Sequence, residues 1–253
     1  MTGGGERVEL VRYGRMLHEM GFVAATDGNL SVRTPSGFLA TPTGLPKREL
    51  REDLVVHLDA GGKARSGSPS SEWPMHLAIY RARADVAAVV HAHPPFATAL
   101  ACAGRAIDRP FLSEAAIALG AVPLVPFALP STSELAERVA RALAGGEAAL
   151  LANHGAVTVG PDLRTAYYRM ETLEQTARTF LYAEVLGGGR PLPQADLETL
   201  RAMGSGYRMA ALPSKACENC PVAAGGEGAG LGREELVRLL VEFARVYPGG
   251  GFK

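Results

Sequence analysis

Three short apolar segments, separated by turns, constrain the fold of this chain more than any other sequence feature. They cover residues 30–33, 38–40 and 54–57, and turn-forming residues follow the first two segments at residues 35–37 and 42–44. A parallel pair of strands needs a crossover connection of about a dozen residues or more, usually with a helix. Strands this close, with turn signals between them, therefore predict antiparallel hairpins.

Short strands and helices alternate along the rest of the chain. Apolar periodicity predicts helices over residues 6–20, from a cap at Ser70 or Ser71 to Arg83, and over residues 96–103, 133–143 and 162–185. Further strands are expected over residues 87–90, 122–127, 148–152 and 157–159. The sequence contains no internal repeat, so this mixture predicts an α/β or α+β fold.

Charge and composition argue against several classes of partner. Lys and Arg number 26, as do Asp and Glu, and this zero balance favours neither nucleic acid nor a membrane surface. Aromatic residues make up 6%, too few for a base-stacking platform. The longest apolar stretch, residues 115–130, contains prolines that are incompatible with a membrane helix. With three cysteines and no secretory pattern at the N-terminus, the chain is expected in the cytoplasm.

The C-terminal part of the chain differs in composition from the rest. We predict a catalytic domain over residues 1–195 and an extension over residues 196–253, made of a Gly/Pro-rich loop and one amphipathic helix at residues 233–247. We expect this helix to cover a neighbouring subunit or the mouth of the active site. Cys217 and Cys220 have the spacing of metal ligands, but only one other cysteine remains, so two thiols in a mobile segment are the preferred interpretation.

Three histidines lie where predicted strands end. His91 and His93 follow an apolar run, and alternate side chains of a strand point the same way, so both imidazoles face one side. His154 occupies a sharp turn after another apolar strand. Three imidazoles with an open coordination position are typical of catalytic zinc. The alternative for each histidine is simple packing or exposure to solvent.

Glu72 lies in the predicted helix that precedes the histidine strand. Its carboxylate is a candidate proton carrier or displaceable metal ligand. The alternative is a carboxylate at a helix N-terminus, which the helix dipole favours. His76, one turn later, lies on the same face and could orient Glu72, although a packed or exposed histidine is the preferred interpretation.

Three loops have the composition of an anion site. Residues 27–31, 41–44 and 68–71 combine glycine with short hydroxyl or amide side chains, and such loops can hold a phosphate without basic residues. Each loop taken alone is also an ordinary turn or cap. The sequence has no Walker A motif and no G-x-G-x-x-G motif, which argues against a nucleotide or dinucleotide ligand.

Five motifs in a fixed order resemble those of a known family. They are Gly28-Asn29-Leu30-Ser31, Thr41-Pro42-Thr43-Gly44, Ser70-Ser71-Glu72-Trp73, His91-Ala92-His93 and Asn153-His154-Gly155. Their order resembles the class II aldolase/adducin family, and within it the L-fuculose-1-phosphate aldolase group, over about residues 6–190. The resemblance implies an α/β fold of three layers (α/β/α), with a central, mainly antiparallel sheet covered by helices. It also implies a homotetramer with active sites at subunit interfaces.

The resemblance further implies roles for individual residues. Zinc, one ion per subunit, would be bound by His91, His93 and His154, although another divalent metal is an alternative. The substrate phosphate would lie near five residues: Asn29, Thr43, Gly44, Ser70 and Ser71. Glu72 would transfer a proton while a ketose 1-phosphate is cleaved to dihydroxyacetone phosphate and an aldehyde through a metal-stabilised enediolate. For that role we expect partial burial to raise the pKa of Glu72 toward neutral.

One departure from the family pattern leaves the substrate open. Fuculose-phosphate aldolases use a tyrosine from a neighbouring subunit as an acid, and its place here falls near Leu112 with no tyrosine close by. Glu114 is the nearest ionisable side chain; it is either the replacement acid or an exposed carboxylate at a helix start. The substrate is therefore either similar to L-fuculose 1-phosphate or a 5-deoxypentulose 1-phosphate.

Two other functions remain as alternatives. The first keeps the metal and the fold but makes the protein an epimerase, a dehydratase or a decarboxylase of sugar phosphates. The second is a non-enzymatic interaction module, as in the adducin branch. That branch lacks the zinc histidines, and all three are present here, so the module is the more distant alternative.

Overall fold

The computed structural model describes residues 4–204 and Arg238, in which one seven-stranded sheet lies between two layers of helices. The helices are α1 (Gly4–Glu19), α2 (Trp73–Ala82), α3 (Pro95–Cys102), α4 (Ser113–Ala118), α5 (Ser133–Ala142), α6 (Leu163–Val185) and α7 (Gln194–Gly204). The strands are β1 (Asn29–Thr34), β2 (Gly37–Ala40), β3 (Val56–Leu58), β4 (Ala88–Ala92), β5 (Leu124–Val125), β6 (Ala148–Leu151) and β7 (Gly155–Gly160). Two short 3₁₀ helices, Lys47–Glu49 and Glu52–Leu54, connect β2 to β3.

The sheet is mainly antiparallel, as the close spacing of the N-terminal strands predicts. Its order is β3-β2-β1-β4-β7-β6-β5, and only the pair β5–β6 is parallel. The central strand β4 therefore pairs with β1 on one side and with β7 on the other. This arrangement confirms the predicted α/β class with its central antiparallel sheet.

Alternation along β4 divides the core between the two faces of the sheet. Val90 points into the cluster that contains side chains of α1, α3 and α6, and Val89 points into the cluster that contains side chains of α2 and α5. Both valines are fully buried. Because side chains alternate, His91 lies on the same face as Val89, below α2. The pleat of one strand thus decides which helix layer contributes to the site.

The start of α2 differs from the sequence prediction. The helix begins at Trp73, with Glu72 at the N-cap position and no side-chain hydrogen bond capping it, so the predicted cap at Ser70 or Ser71 is wrong. Ser70 forms a local turn instead, since its hydroxyl accepts from the Glu72 N–H and its carbonyl from the Trp73 N–H. This turn leaves the carboxylate of Glu72 free to face the sheet.

Strand β5 is shorter than predicted, because prolines flank it. Only Leu124 and Val125 pair with β6, whereas the apolar run predicted a strand over residues 122–127. Pro123 and Pro126 have no N–H to donate to a ladder, and they limit the strand to the two residues between them.

Helix α7 was not predicted, and it crosses the expected domain boundary between residues 195 and 196. It packs against α4, and its Leu197 is buried. The predicted helix at residues 233–247, apart from Arg238, and the pair Cys217 and Cys220 lie outside the described residues. The division into a catalytic domain and an extension therefore stays a prediction. Across the described residues, no helix combines the length and the apolar character that a membrane crossing requires.

Candidate metal and phosphate site

The three predicted histidines lie together at one end of the sheet. His91 is in β4, His93 lies just beyond that strand, and His154 lies in the turn between β6 and β7. The distances between ring centroids are 5.0 Å for His91 and His93, 4.8 Å for His91 and His154, and 5.1 Å for His93 and His154. Each ring offers one nitrogen, and these nitrogens lie within 4.8 Å of one another. The three imidazoles are therefore close enough to share one metal ion.

A tight turn makes this approach possible. Asn153 adopts a left-handed conformation with φ of 55°, which asparagine tolerates better than most residues. A Cβ at Gly155 would lie 2.5 Å from Cδ2 of His93 and 2.6 Å from the carbonyl oxygen of Ala92. Only glycine allows the turn to pack this closely against the end of β4, and this packing places His154 beside the other two rings.

The hydrogen bonds of His91 fix its tautomer. Its Nδ1 lies 2.9 Å from the carbonyl oxygen of Ala156, which can only accept, so Nδ1 carries a hydrogen. The Nε2 atom of His91 then faces the cluster, 3.2 Å from Nε2 of His93 and 3.0 Å from Oε2 of Glu72. Such support on the opposite ring nitrogen is usual for metal-binding histidines.

The surroundings of Glu72 fit a bound cation. Oε1 of Glu72 lies 3.4 Å from Nε2 of His154, yet it is buried without a hydrogen bond. A divalent ion between the carboxylate and the rings would satisfy this oxygen and the ring nitrogens together. The donor set, three imidazoles and one carboxylate, is one that zinc and other divalent metals accept.

The pKa of Glu72 is lowered, which corrects the sequence expectation. Burial alone raises it, but the charge and hydrogen bond of His91, the charge of His154 and the hydrogen bond from Asn29 outweigh burial. Glu72 is therefore an ionised carboxylate in this cluster. Burial and the charge of His91 lower the pKa of His154 to about 4, so its ring is neutral near pH 7 and has a free lone pair for a metal.

Asn29 joins Glu72 to a buried network of hydrogen bonds. Asn29 lies opposite His91 in the β1–β4 ladder, and its Nδ2 donates to Oε2 of Glu72 at 3.0 Å. Its Oδ1 lies 2.6 Å from Nε2 of His76, whose Nδ1 lies 2.7 Å from Oγ of Ser31. His76 is therefore buried, as one of the two sequence interpretations predicts, and it is linked to Glu72 through Asn29.

The direction of every hydrogen bond in this network follows from its chemistry. Complete burial lowers the pKa of His76 to about 3, so its ring is neutral and carries one hydrogen. Since Oδ1 of Asn29 can only accept, that hydrogen is on Nε2, and Nδ1 accepts from the Ser31 hydroxyl. The Tyr80 hydroxyl, 2.8 Å away, then donates to Ser31. The network holds the NH₂ group of Asn29 toward Glu72.

A polar cleft of about 330 Å³ opens beside the histidines. Eight residues predicted for the site line it: Asn29, Thr43, Gly44, Ser70, Ser71, Glu72, His93 and His154. Two of the lining loops are joined by hydrogen bonds from the Ser70 N–H to the Thr41 carbonyl and from the Thr43 N–H to the Ser68 carbonyl. The structure thus brings the predicted phosphate residues together on one wall.

Three of the described lining residues lie outside the loops and site residues predicted from the sequence: Thr26 directly precedes the loop 27–31, and Pro130 and Ser131 lie between β5 and α5. Asp27, which is part of the predicted loop, also lines the cleft, and its Oδ2 lies 3.5 Å from Nδ1 of His93. Ser131 has a left-handed backbone with φ of 65°, but a Pro-Ser pair in a polar stretch carries no signal for that conformation.

Glu114 lies apart from this cleft within one chain. It is exposed in the first turn of α4 and is not among the residues that line the cleft. This placement is that of an exposed carboxylate at a helix start. A contribution from Glu114 to the site of another subunit stays a prediction.

The fold and the site define a class of protein, a three-layer α/β/α domain with a three-histidine centre at the end of its central strand. Residues 8–181 match the family described as Class II Aldolase and Adducin N-terminal domain. This match covers more than half of the 253 residues. The chain therefore belongs to the class II aldolase and adducin family.

Named relatives within the family catalyse more than one reaction. The chain is 38% identical over 175 residues to the L-fuculose phosphate aldolase of Escherichia coli (strain K12), which covers 69% of this chain and 80% of that protein. It is 35% identical over 190 residues to the 5-methylthioribulose-1-phosphate/5-deoxyribulose-1-phosphate aldolase of Rhodospirillum rubrum, with coverage of 75% and 86%. It is also 37% identical over 192 residues to the 3-oxo-tetronate 4-phosphate decarboxylase of Escherichia coli (strain K12), with coverage of 74% and 89%.

A solved structure extends the likeness to three dimensions. An L-fuculose 1-phosphate aldolase superposes with a TM-score of 0.76 at 33% identity, covering 83% of this chain and 99% of that one. The named relatives are thus aldolases and a decarboxylase, which are lyases whose names specify sugar-phosphate or related phosphorylated substrates.

Proposed function

We propose that this protein is a zinc-dependent class II aldolase that cleaves a ketose 1-phosphate to dihydroxyacetone phosphate and an aldehyde. The observation that carries the proposal is the placement of Glu72, whose oxygens lie 3.0 Å and 3.4 Å from ring nitrogens of His91 and His154 at a cleft lined by hydroxyl and amide groups. This arrangement supports a reaction in which one small substrate contacts the candidate proton-transfer group, the histidine cluster and the candidate phosphate loops together.

The loop residues, the histidines and Glu72 would each have a separate role in the reaction. Loop residues Thr43, Gly44, Ser70 and Ser71 would hold the phosphate, and so orient the ketose toward the histidines. Zinc bound by the three imidazoles would supply Lewis acidity that stabilises the negative charge developing on the substrate oxygens. In the condensation direction the ionised Glu72 would remove a proton from the carbon of dihydroxyacetone phosphate that attacks the aldehyde. In cleavage, the proton released by the hydroxyl that becomes the aldehyde oxygen would reach Glu72, directly or through water, and Glu72 would pass it to that carbon.

Asn29 supports the proton-transfer role of Glu72. Its NH₂ group has two hydrogens, and one of them is donated to Glu72 while the amide lines the cleft. The second hydrogen is available to a substrate oxygen. The buried network behind Asn29 holds this amide in one orientation, so the carboxylate is positioned before the substrate binds.

The names of the relatives support two sugar classes and one different reaction. The substrate would be similar to L-fuculose 1-phosphate or would be a 5-deoxypentulose 1-phosphate, since relatives of both kinds are comparably similar. The second candidate function is decarboxylation of a keto acid phosphate, which the 37% identical decarboxylase favours. Epimerase and dehydratase activities share the same fold and metal. A non-enzymatic module is disfavoured, because the three histidines are present.

We further propose that the protein is a cytoplasmic homotetramer with active sites at subunit interfaces. Phe127 is 53% exposed and Leu129 is 65% exposed, and both lie just before Pro130, which lines the cleft. Exposed large apolar side chains at the edge of an active site support cover by a neighbouring subunit. The extension at residues 196–253 and Glu114 are the candidate groups that a neighbour would add.

A product assay tests the proposed reaction. The purified protein is incubated with ketose 1-phosphates and keto acid phosphates, and a dihydroxyacetone-phosphate reductase reports product. Release of dihydroxyacetone phosphate together with an aldehyde is expected. Release of carbon dioxide without dihydroxyacetone phosphate would instead establish the decarboxylase. About one divalent metal per chain is expected in the same preparation, and a metal-free active preparation would contradict the zinc site.

The variant Glu72→Gln separates the proton-transfer role from metal binding. We expect it to keep its metal and to lose about 100-fold or more in turnover, because the amide cannot accept the proton. Glu137→Gln, at an exposed carboxylate that does not line the cleft, is the matched control. Glu114→Gln reports separately whether a neighbour's Glu114 participates. Full turnover by Glu72→Gln with its metal retained would show that the assigned role is wrong.

A further inference from the structure

Lys47 is a buried cation that the mechanism has not used. It begins the first 3₁₀ helix and is only 2% exposed. Its Nζ donates to the carbonyl oxygens of Thr26, at 3.2 Å, and Leu45, at 3.0 Å. Among the described residues, no carboxylate lies within ion-pair distance of Lys47, whereas the buried Arg169 forms an ion pair with Glu147. A buried ammonium without a counter-ion is costly, so its retention needs a reason.

The two carbonyls that bind Lys47 belong to two loops of the cleft. Thr26 lines the cleft itself, and Leu45 directly follows Thr43 and Gly44, which also line it. Lys47 is not a lining residue, so its ammonium lies behind the wall and joins the two loops from the protein side. One cation is thus fixed at the junction of two segments assigned to the phosphate.

The cleft itself presents an unfavourable field to an anion. Its lining contains the carboxylates of Asp27 and Glu72 and no lysine or arginine side chain within the described part of the chain. A phosphate dianion at Thr43 and Gly44 would be repelled by these carboxylates unless a positive charge lies near. The histidine cluster can offset Glu72, and a positive charge behind the phosphate loops would offset Asp27 and add to the hydrogen bonds of the loops.

We propose that Lys47 supplies this charge: its ammonium, held behind the loops of Thr26 and Gly44, stabilises the phosphate group of the bound substrate through the cleft wall. The proposal rests on the proposed function, since it requires a phosphorylated ligand in this cleft. Substrates with a phosphate at that end would be favoured over their unphosphorylated forms. Because Lys47 is buried, its charge is screened less than a charge at the surface would be, which strengthens the interaction.

The charge state of Lys47 makes the proposal measurable. Burial lowers the pKa of Lys47 to about 8, and the nearby Asp27 carboxylate acts in the opposite direction. An anion that binds near the ammonium favours the protonated form and must raise this pKa. Proton binding and anion binding are thermodynamically linked. If protonation of Lys47 increases phosphate affinity by some factor, bound phosphate increases the proton affinity of Lys47 by the same factor.

The experiment uses inorganic phosphate and the zinc-loaded full chain. Phosphate affinity is measured by calorimetry for the wild type, Lys47→Met, Lys47→Arg and the control Lys63→Met, which removes an exposed lysine. We expect Lys47→Met to weaken phosphate binding at least tenfold, equivalent to about 1.4 kcal/mol. Lys47→Arg should lose less phosphate affinity than Lys47→Met, and Lys63→Met should bind phosphate as tightly as the wild type.

The pKa of Lys47 can also be measured by NMR in the wild type, so this test does not depend on correct folding of the variants. Lysine labelled with ¹³C at Cε is titrated with and without phosphate, and the Lys47 signal is assigned from its loss in Lys47→Met. A rise of the Lys47 pKa by about one on phosphate binding accompanies a tenfold effect. The Lys63 signal in the same spectra serves as the internal control.

Each outcome decides a different point. A raised Lys47 pKa together with weaker binding by Lys47→Met supports the proposal. If the wild type binds phosphate and the pKa of Lys47 does not change, the proposal is wrong. Weak phosphate binding by Lys47→Met would then mean only that Lys47 holds the two loops together. A wild type that binds no phosphate removes the phosphate site of the proposed function and this proposal with it.

Discussion

Replacement of His76 by leucine tests whether the buried network positions the carboxylate of Glu72 for its proposed role. In the wild type, Nε2 of His76 donates to Asn29 and Nδ1 accepts from Ser31, at 2.6 Å and 2.7 Å. Leucine fills similar space but offers neither contact. Asn29 Oδ1 would lose its partner entirely, while Ser31 would keep its hydrogen bond with Tyr80.

The expected magnitudes follow from these contacts. One buried acceptor without a partner costs about 1–3 kcal/mol, and the lost donor contact of Ser31 adds about 1 kcal/mol, so we expect a loss of about 2–4 kcal/mol in the free energy of unfolding. Without the bond to His76 the Asn29 amide can turn its oxygen toward Glu72, which removes a hydrogen bond to a charged group worth about 1.5–3 kcal/mol. That loss corresponds to about 10–100-fold in kcat.

The assay compares four variants. Urea unfolding gives stability, saturating substrate gives kcat, and metal analysis confirms that zinc is retained. His76→Gln can donate to Asn29 and accept from Ser31, so it should recover most of the kcat. Ser31→Ala and Tyr80→Phe remove links farther from Glu72, and their effects on kcat should decrease in that order.

Two results would refute this reasoning. A His76→Leu variant that loses stability but keeps its kcat would show that the histidine only packs. A ¹⁵N spectrum that placed the hydrogen of His76 on Nδ1 would reverse the direction of the network, and Asn29 could not then present its NH₂ group to Glu72. A Tyr80→Phe variant as slow as His76→Leu would equally contradict the expected gradient.

Other predictions concern stability, pH and metal binding. Glu147→Gln leaves the buried Arg169 without its counter-ion and should lower the free energy of unfolding by about 3–5 kcal/mol, which urea denaturation measures. Thr132→Ala removes the cap of α5, where Oγ1 accepts from the Leu135 N–H, and should cost about 1 kcal/mol with KM unchanged. The pKa of His76 is lowered to about 3, so between about pH 6.5 and pH 3 the unfolded chain binds a proton that the folded chain does not. The free energy of unfolding should therefore fall as the pH decreases through this range, and His76→Gln should reduce its dependence on pH. Gly155→Ala should weaken zinc binding, measured by competition with a chelator, and Gly5→Ala, with open space around its Cβ, is the control.

The metal cluster could be predicted from the sequence, because local rules place its members. Alternation in a strand puts His91 and His93 on one side, and a turn after a second apolar strand ends at His154. Which strands are neighbours is a nonlocal property that was not predicted, and only the family resemblance implied that all three histidines bind one ion. The antiparallel sheet followed from the short gaps between segments in the same local way.

The rest depends on contacts that no short stretch of sequence records. From the sequence, His76 is an ordinary histidine in a helix. Its hydrogen bonds with Asn29 and Ser31 exist only because the fold brings β1 next to this helix. Lys47 lies in a polar stretch that is typical of a solvated surface, and only the packing of two loops around it reveals a buried ammonium. The sign of the pKa shift of Glu72 was wrong for the same reason, since burial was foreseen but the nearby charge of His91 was not.

The amide of Asn29 has a consequence for isotope exchange. Tyrosine, serine and histidine side chains can each pass a proton along a hydrogen bond, but a carboxamide between His76 and Glu72 cannot do so without forming an unstable imidic acid. The network thus orients Glu72 but carries no proton to or from it. On the proposed function, a deuterium atom that Glu72 takes from labelled dihydroxyacetone phosphate cannot leave through Asn29 into the network, so its washout into water should not change in Ser31→Ala or Tyr80→Phe.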